Sequence, residues 1–367
     1  MLRNKGKHKA GFIGLGLIGG SIAKAIRQYY PDFEIVAFDK SREALALATQ
    51  ESVIDVAAAS IDDNFRQCSY IFLCAPVACN AAYLKQIKEY LHEDCILTDV
   101  GSVKTNIHIE VKKLGIEEYF IGGHPMAGSE KSGYANSKAM LIENAYYVLT
   151  PSALVSKEKV EKYEAFIESL KALPVILDYE KHDYVTGTIS HLPHIIASSL
   201  VNLVQDHDDS QEQMKKLAAG GFKDITRIAS SSPEMWQQIC MTNTEPICRI
   251  LQAYIDSLTQ ILEGVRGHDS KAVFDLFARS RAYRGSIPDG PKGPVPPEYS
   301  FTVDIVDEPG SISTLSVILS ARGINIKNIG INHNREQGEG ALRISFYKED
   351  AMNAAWEQLK KYNYTLS

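Results

Sequence analysis

The chain has 367 residues, 45% of them hydrophobic, which is enough for two or three domains with sizeable cores. Its net charge of −6 leaves lysines and arginines scattered among aspartates and glutamates, with no basic stripe of the kind that grips a phosphate backbone, so nucleic acid is not an expected partner. No stretch reaches the roughly 18 apolar residues of a membrane span, and the six cysteines, Cys68, Cys74, Cys79, Cys95, Cys240 and Cys248, form no C-x-x-C pair and read as packing thiols of a reducing cytoplasm.

The basic start, Met1 to Lys9, is followed by a glycine-broken turn and not by the uninterrupted apolar run of a signal peptide. That turn, Gly14-Leu15-Gly16-Leu17-Ile18-Gly19, joins a short apolar strand to a helix that Pro31 closes. Each glycine has a mechanical job in a dinucleotide site: Gly14 for the tight turn, Gly16 for the approach of a pyrophosphate, Gly19 for packing of helix on strand. The helix start supplies anion-binding amides. A second strand, Glu34 to Phe38, ends at Asp39, about 25 residues past Gly14 and close to the offset at which an acid holds the adenosine ribose. Asp39 would repel a 2′-phosphate despite Lys40 and Arg42 beside it, so NAD is favoured over NADP.

Further short apolar strands alternate with helical patterns: Tyr70 to Cys74, Ile96 to Asp99, Phe120 to Gly122, Tyr146 to Thr150 and Pro174 to Leu177. The pattern predicts a doubly wound α/β sheet over residues 1–178, with its ligand crevice beyond the carboxyl ends of the strands. Two segments fall there. Val100 to Lys104 includes Ser102, which reads as an orienting partner for a histidine or as a helix cap. Gly123 to Glu130 includes His124, a general-base candidate because imidazole titrates near neutrality, or else a loop histidine that only hydrogen-bonds the chain.

Residues 179–285 lose strand signals and read as all helix, with starts at Ser232-Pro233-Glu234 and Thr244-Glu245-Pro246. The apolar run Ile247 to Ile261 exceeds what one small bundle buries, which predicts a homodimer contact. His191 and His194 stand three apart on one helix face, with Pro193 expected to bend the helix and open a pocket; no third ligand sits near enough in sequence to argue for metal. Arg227, read as a loop arginine, suits a substrate carboxylate or a structural pair with Asp224, and Trp236 reads as a pocket wall or a core residue. Residues 286–297 are a Pro/Gly-rich linker, and residues 298–367 read as a compact βαββα module.

These motifs in this order resemble the bacterial NAD-dependent prephenate dehydrogenases that carry a C-terminal ACT domain. The resemblance covers nearly the whole chain, from the Gly14 turn through Asp99-Val100-Gly101-Ser102-Val103-Lys104, Gly123 to Glu130, Ser190 to His194 and Gly221 to Arg227 to Trp236. It implies a Rossmann-type sheet, an all-α dimerisation domain and an ACT-like α+β domain. It further implies that His124 hydrogen-bonds the ring hydroxyl of prephenate, that Ser102 supports His124 and nears the cofactor, that Arg227 binds a substrate carboxylate, and that His191, His194 and Glu130 shape the pocket. By the same resemblance, Pro309 and Gly310 lie where L-tyrosine would bind as a feedback inhibitor. Arogenate is the alternative substrate, and a non-catalytic sensor of NAD and an amino acid is the reading from a different class, disfavoured because a sensor needs no histidine at the crevice.

Overall fold

Apolar runs with hardly a polar residue in them form the parallel part of the first sheet. β1 (Lys9–Ile13), α1 (Leu17–Tyr29), β2 (Glu34–Phe38), α2 (Arg42–Gln50), β3 (Val56–Ala57), β4 (Tyr70–Leu73), α3 (Val77–Ile87), β5 (Ile96–Asp99) and α4 (Thr105–Leu114) follow in order. The computed structural model describes residues 8–128, 131–287, 299–306, 308–332 and 340–366. The strands pair in parallel in the order β3-β2-β1-β4-β5. Every residue of β4 and β5 is buried, as strands covered by helices on both faces require. The two-residue β3 carries too short a pattern to be predicted.

The chain order reverses direction across the sheet between β1 and β4, the switch point at which such sheets open a crevice. β6 (Ile121–Pro125) joins the β5 side through a parallel bridge between Leu97 and Phe120. β7 (Tyr146–Pro151) runs antiparallel to β6, and α5 (Lys157–Ser169) leads to β8 (Leu173–Ile176), parallel to β7. β6 is longer than its apolar run predicts. His124 is therefore a strand residue opposite Val148 and not a loop residue, and the Met126 N–H, beyond Pro125, closes the ladder onto Tyr146 O at 2.7 Å.

The helical part comprises α6 (Tyr179–Thr186), α7 (Leu192–His207), α8 (Gln213–Leu217), α9 (Gly220–Thr226), α10 (Pro233–Thr242), α11 (Thr244–Arg266) and α12 (Ser270–Ser286). Asp178 caps α6 and Ser232 caps α10, with Pro233 at the start, where its missing N–H costs nothing. Between α6 and α7 the chain makes a π turn, Gly187–His191, in which the Leu192 N–H reaches Gly187 O. Pro193 thus stands in the first turn of α7, directly after the π turn.

Contacts divide the chain into two compact units, Met1–Pro291 and Lys292–Ser367. The second holds β9 (Tyr299–Ile305), α13 (Ser311–Ser320), β10 (Ile326–Asn332), β11 (Gly340–Phe346) and α14 (Glu349–Lys361), with the antiparallel sheet order β10-β11-β9. Alternate residues Phe301, Val303, Leu342, Ile344 and Phe346 pack on Leu315, Leu319, Ala355 and Leu359 of the two helices. Of the expected linker only Ser286 and Ile287 are described, and Glu130 lies outside the described residues. Among the described residues no helix is long and apolar enough to cross a membrane.

Candidate active site

Steric contacts explain the glycines of the first turn. Gly14 has φ +97°, and a side chain there would stand 2.6 Å from the Ala75 amide at the end of β4; one at Gly19 would stand 2.7 Å from Gly14 O. Gly16 is different: nothing lies within 4 Å of where its Cβ would be, so the backbone there is open to a ligand. α1 begins directly after it without a side-chain cap, leaving the first helical amides for an anion. Asp39 Oδ2 accepts the Leu15 N–H at 2.5 Å and Oδ1 accepts the Ser41 N–H at 2.6 Å. The acid is thereby aimed at the turn, with lone pairs remaining for hydroxyl donors. The open backbone at Gly16 and the uncapped start of α1 together form a cradle that fits a dinucleotide.

On the same carboxyl edge, the ends of β5 and β6 are locked by a buried ion pair. Lys104, fully buried, donates from Nζ to the Asp99 carboxylate and to Gly123 O (2.7 Å). Asp99 also accepts the N–H groups of Gly101 (2.9 Å) and Gly123 (3.2 Å). Burial pushes the Lys104 ammonium below the ordinary lysine range, and Asp99 and Asp183 pull it back part of the way. A side chain at Gly123 would come within 2.6 Å of Asp99 O, so glycine is required where β6 crosses this pair, one residue before His124.

His124 Nδ1 lies 2.8 Å from His182 Nε2, and His182 Nδ1 lies 2.8 Å from Asp183 Oδ1. Burial, then the neighbouring His182, Lys104 and His191, hold the His124 imidazole well below its ordinary pKa, so it is a neutral base at pH 7. The Asp183 carboxyl is pushed up by burial, but hydrogen bonds from His182, Thr105 and Lys104 outweigh this and keep it ionised. Ser102 was expected to orient His124 or to cap the next helix. The structure gives both tasks to the His182-Asp183 pair: His182 holds the ring, and Asp183 accepts the Lys104 and Thr105 N–H groups at 2.7 and 2.8 Å at the start of α4, 78 or more residues away in sequence. Ser102 itself sits partly buried between β5 and α4.

The helical residues gather around one indole. His194 stacks on Trp236 with ring centroids 3.7 Å apart, and His191 meets the same ring edge-on at 5.9 Å. His191, 1% exposed, accepts from Asn243 Nδ2 at 3.0 Å, which leaves its Nε2 as a donor; burial holds its pKa down at about 4. His194 Nδ1 donates to Ser190 O at 2.9 Å. Arg227 closes α9 and opens a short 3-10 turn, and it lies near enough to His194 to help lower that ring's pKa, after burial. It is a helix-end residue and not a loop residue. The Trp236 Nε1 is buried with no hydrogen-bond partner among the described residues.

An open glycine cradle at a sheet switch point, with a neutral histidine on the same edge, defines a dinucleotide-dependent dehydrogenase. Residues 22–176 match the family of prephenate dehydrogenase nucleotide-binding domains and residues 178–279 the family of prephenate dehydrogenase dimerisation domains. A prephenate dehydrogenase of Bacillus subtilis (strain 168) is 39% identical over 339 residues, 92% of this chain and 91% of that protein. Among solved structures, the prephenate dehydrogenase from Aquifex aeolicus in complex with hydroxyphenyl propionate and NAD+ superposes with a TM-score of 0.73 at 29% identity, covering 78% of this chain and 100% of that one. The Synechocystis arogenate dehydrogenase gives 0.69 at 27% identity, covering 76% and 99%. The chain belongs to the prephenate dehydrogenase family, and it is an oxidoreductase.

Proposed function

We propose that the protein oxidatively decarboxylates prephenate with NAD, that His124 is the general base, and that residues 1–178, 179–285 and 298–367 are its nucleotide-binding, helical and regulatory domains. The neutral imidazole of His124 at the carboxyl edge carries this reading. Gly14, Gly16, Gly19 and Asp39 would hold NAD, with Leu15, Leu17 and Ile18 supplying backbone and Ser102 close by. Bound NAD supplies the hydride acceptor. His124 would hold the C4 hydroxyl proton on Nε2 while C4 gives up its hydride and the ring carboxylate leaves as carbon dioxide, and would return that proton to the phenolate oxygen, so that aromatic 4-hydroxyphenylpyruvate results and the step is strongly downhill. His191 and His194 shape the pocket. The test is NADH absorbance on mixing the chain, NAD and prephenate, with arogenate in parallel; no NADH with either substrate overturns the proposal, and NADH with arogenate alone moves the preference to the amine.

Arg227 binds a substrate carboxylate in this scheme. Loss of a charge-assisted hydrogen bond of about 1.5–3 kcal/mol is expected to raise the prephenate KM roughly tenfold or more in Arg227→Ala. Steady-state kinetics at saturating NAD decides it, and an unchanged KM assigns Arg227 a structural pairing instead.

The open apolar faces of α11 and α12, with Leu258, Leu262, Phe274 and Phe277 exposed, support a homodimer. In the terminal unit, the βαββα order and Gly310, at φ +98° ahead of α13 with open space around it, support an ACT-like module that takes L-tyrosine beside Pro309 and Gly310. Equilibrium dialysis with labelled tyrosine is expected to show binding to the full chain and none to a chain ending at Pro297; equal binding removes the effector.

A further inference from the structure

We propose that His182 and Asp183 are positioning residues for the base, a relay whose hydrogen bonds fix the tautomer of His124 so that a bare Nε2 faces the substrate. This rests on His124 being the base.

The chain of assignments starts at the carboxylate. Ionised Asp183 can only accept, so the proton on its 2.8 Å contact with His182 Nδ1 belongs to His182. With the His182 proton held on Nδ1 by Asp183, the relay has its Nε2 accept across the 2.8 Å contact with His124 Nδ1. Neutral His124, protonated at Nδ1, is left with a lone pair on Nε2. The opposite tautomer would present an N–H to the substrate hydroxyl and could not take its proton. As that proton arrives, His124 becomes an imidazolium, and the Asp183 charge lies behind His182 on the side where the positive charge forms.

The relay is rigidly built. His182 and Asp183 are both fully buried. Both Asp183 oxygens are engaged by the first amides of α4. The Thr186 hydroxyl donates to His182 O at 2.9 Å, and Asn243 Nδ2 donates to Asp183 O at 2.9 Å as well as to His191 Nδ1. The same amide that steadies the relay therefore sets His191 as an Nε2–H donor, so acceptor and donor imidazoles are specified by one connected network.

The experiment compares His182→Leu and His182→Gln in the full-length enzyme with NAD and prephenate. In His182→Leu, kcat is expected to fall about a hundredfold, with the prephenate KM and NAD Kd within about threefold of wild type, because only the base is mis-set. A glutamine amide oxygen can accept the His124 Nδ1–H, so His182→Gln is expected to recover to within about tenfold of wild type. Nitrogen-15 NMR of histidine-labelled wild-type enzyme should show His124 protonated at Nδ1 and bare at Nε2. If His182→Leu turns over normally while His124→Asn does not, the relay is wrong and the base stands; if His124→Asn turns over normally, the base itself is wrong. If kcat, KM and NAD affinity all worsen together and glutamine rescues nothing, the pair is merely structural. Should His182→Leu not fold, the wild-type spectrum and His182→Gln decide alone, and a proton on His124 Nε2 overturns the relay.

Discussion

Replacement of His124 by asparagine is expected to lower kcat by roughly 10²- to 10⁴-fold, the contribution of a general base, with NAD affinity essentially unchanged. Asparagine keeps an N–H where Nδ1 now meets His182 Nε2, so the packing of β6 survives while the basic lone pair is lost. The proposed cofactor cradle lies after β1, at a different strand end, and would bind through backbone and Asp39. The pH profile supplies a second reading. Burial, His182, Lys104 and His191 lower the pKa of the wild-type imidazole well below its ordinary 6.5, so the neutral form dominates at neutrality. kcat/KM should stay flat as pH falls through 6.5 and drop only when the lowered pKa is reached. In His124→Asn that acid limb should disappear with the base. Turnover near the wild-type value would remove His124 from the chemistry.

The strands and the glycine turn were legible because their residues are dictated by local constraints: unbroken apolar runs for a sheet covered on both sides, and glycines where a side chain would strike Ala75 or Gly14. His124, His191, His194 and Trp236 were legible as chemistry-bearing residues, although the sequence leaves a loop histidine open as the alternative at His124, since nothing local says that β6 continues through Pro125. The relay was not legible. All the buried residues of α6, His182, Asp183 and Thr186, are polar, so the helix lacks the apolar stripe by which a buried face is recognised. Its partners lie at positions 104, 105, 124 and 243, distances that no local pattern encodes. For the same reason Asp99 and Lys104 stood in a conspicuous motif without a role. Their pairing appears only when β5, α4 and β6 converge, and Ser102, two residues away, drew the assignment that Asp183 and His182 fill.

The Asp99-Lys104 pair carries the largest stability effect expected in the first unit. Lys104→Met keeps the length and apolar stem but removes the ammonium, leaving Asp99 buried with only the Gly101 and Gly123 N–H groups and no counter-charge. Breaking one side of a buried pair costs about 3–5 kcal/mol, which should lower the thermal midpoint of this unit by on the order of 10 °C. Adding Asp99→Asn removes the orphaned charge, so the double variant should lose less than the sum of the single losses, with a coupling of about 2 kcal/mol. Calorimetry of the four proteins checks this, and an unchanged midpoint in Lys104→Met would contradict a buried, paired lysine. Activity should respond separately. Lys104 also holds Gly123 O at 2.7 Å, and Gly123 immediately precedes the base. Even well below its midpoint, Lys104→Met should therefore lose kcat, because a misplacement of about 1 Å at a reacting group costs on the order of a hundredfold. The double variant, whose stability returns in part, should not regain this activity, since neither substitution restores the donor that anchors the strand at His124.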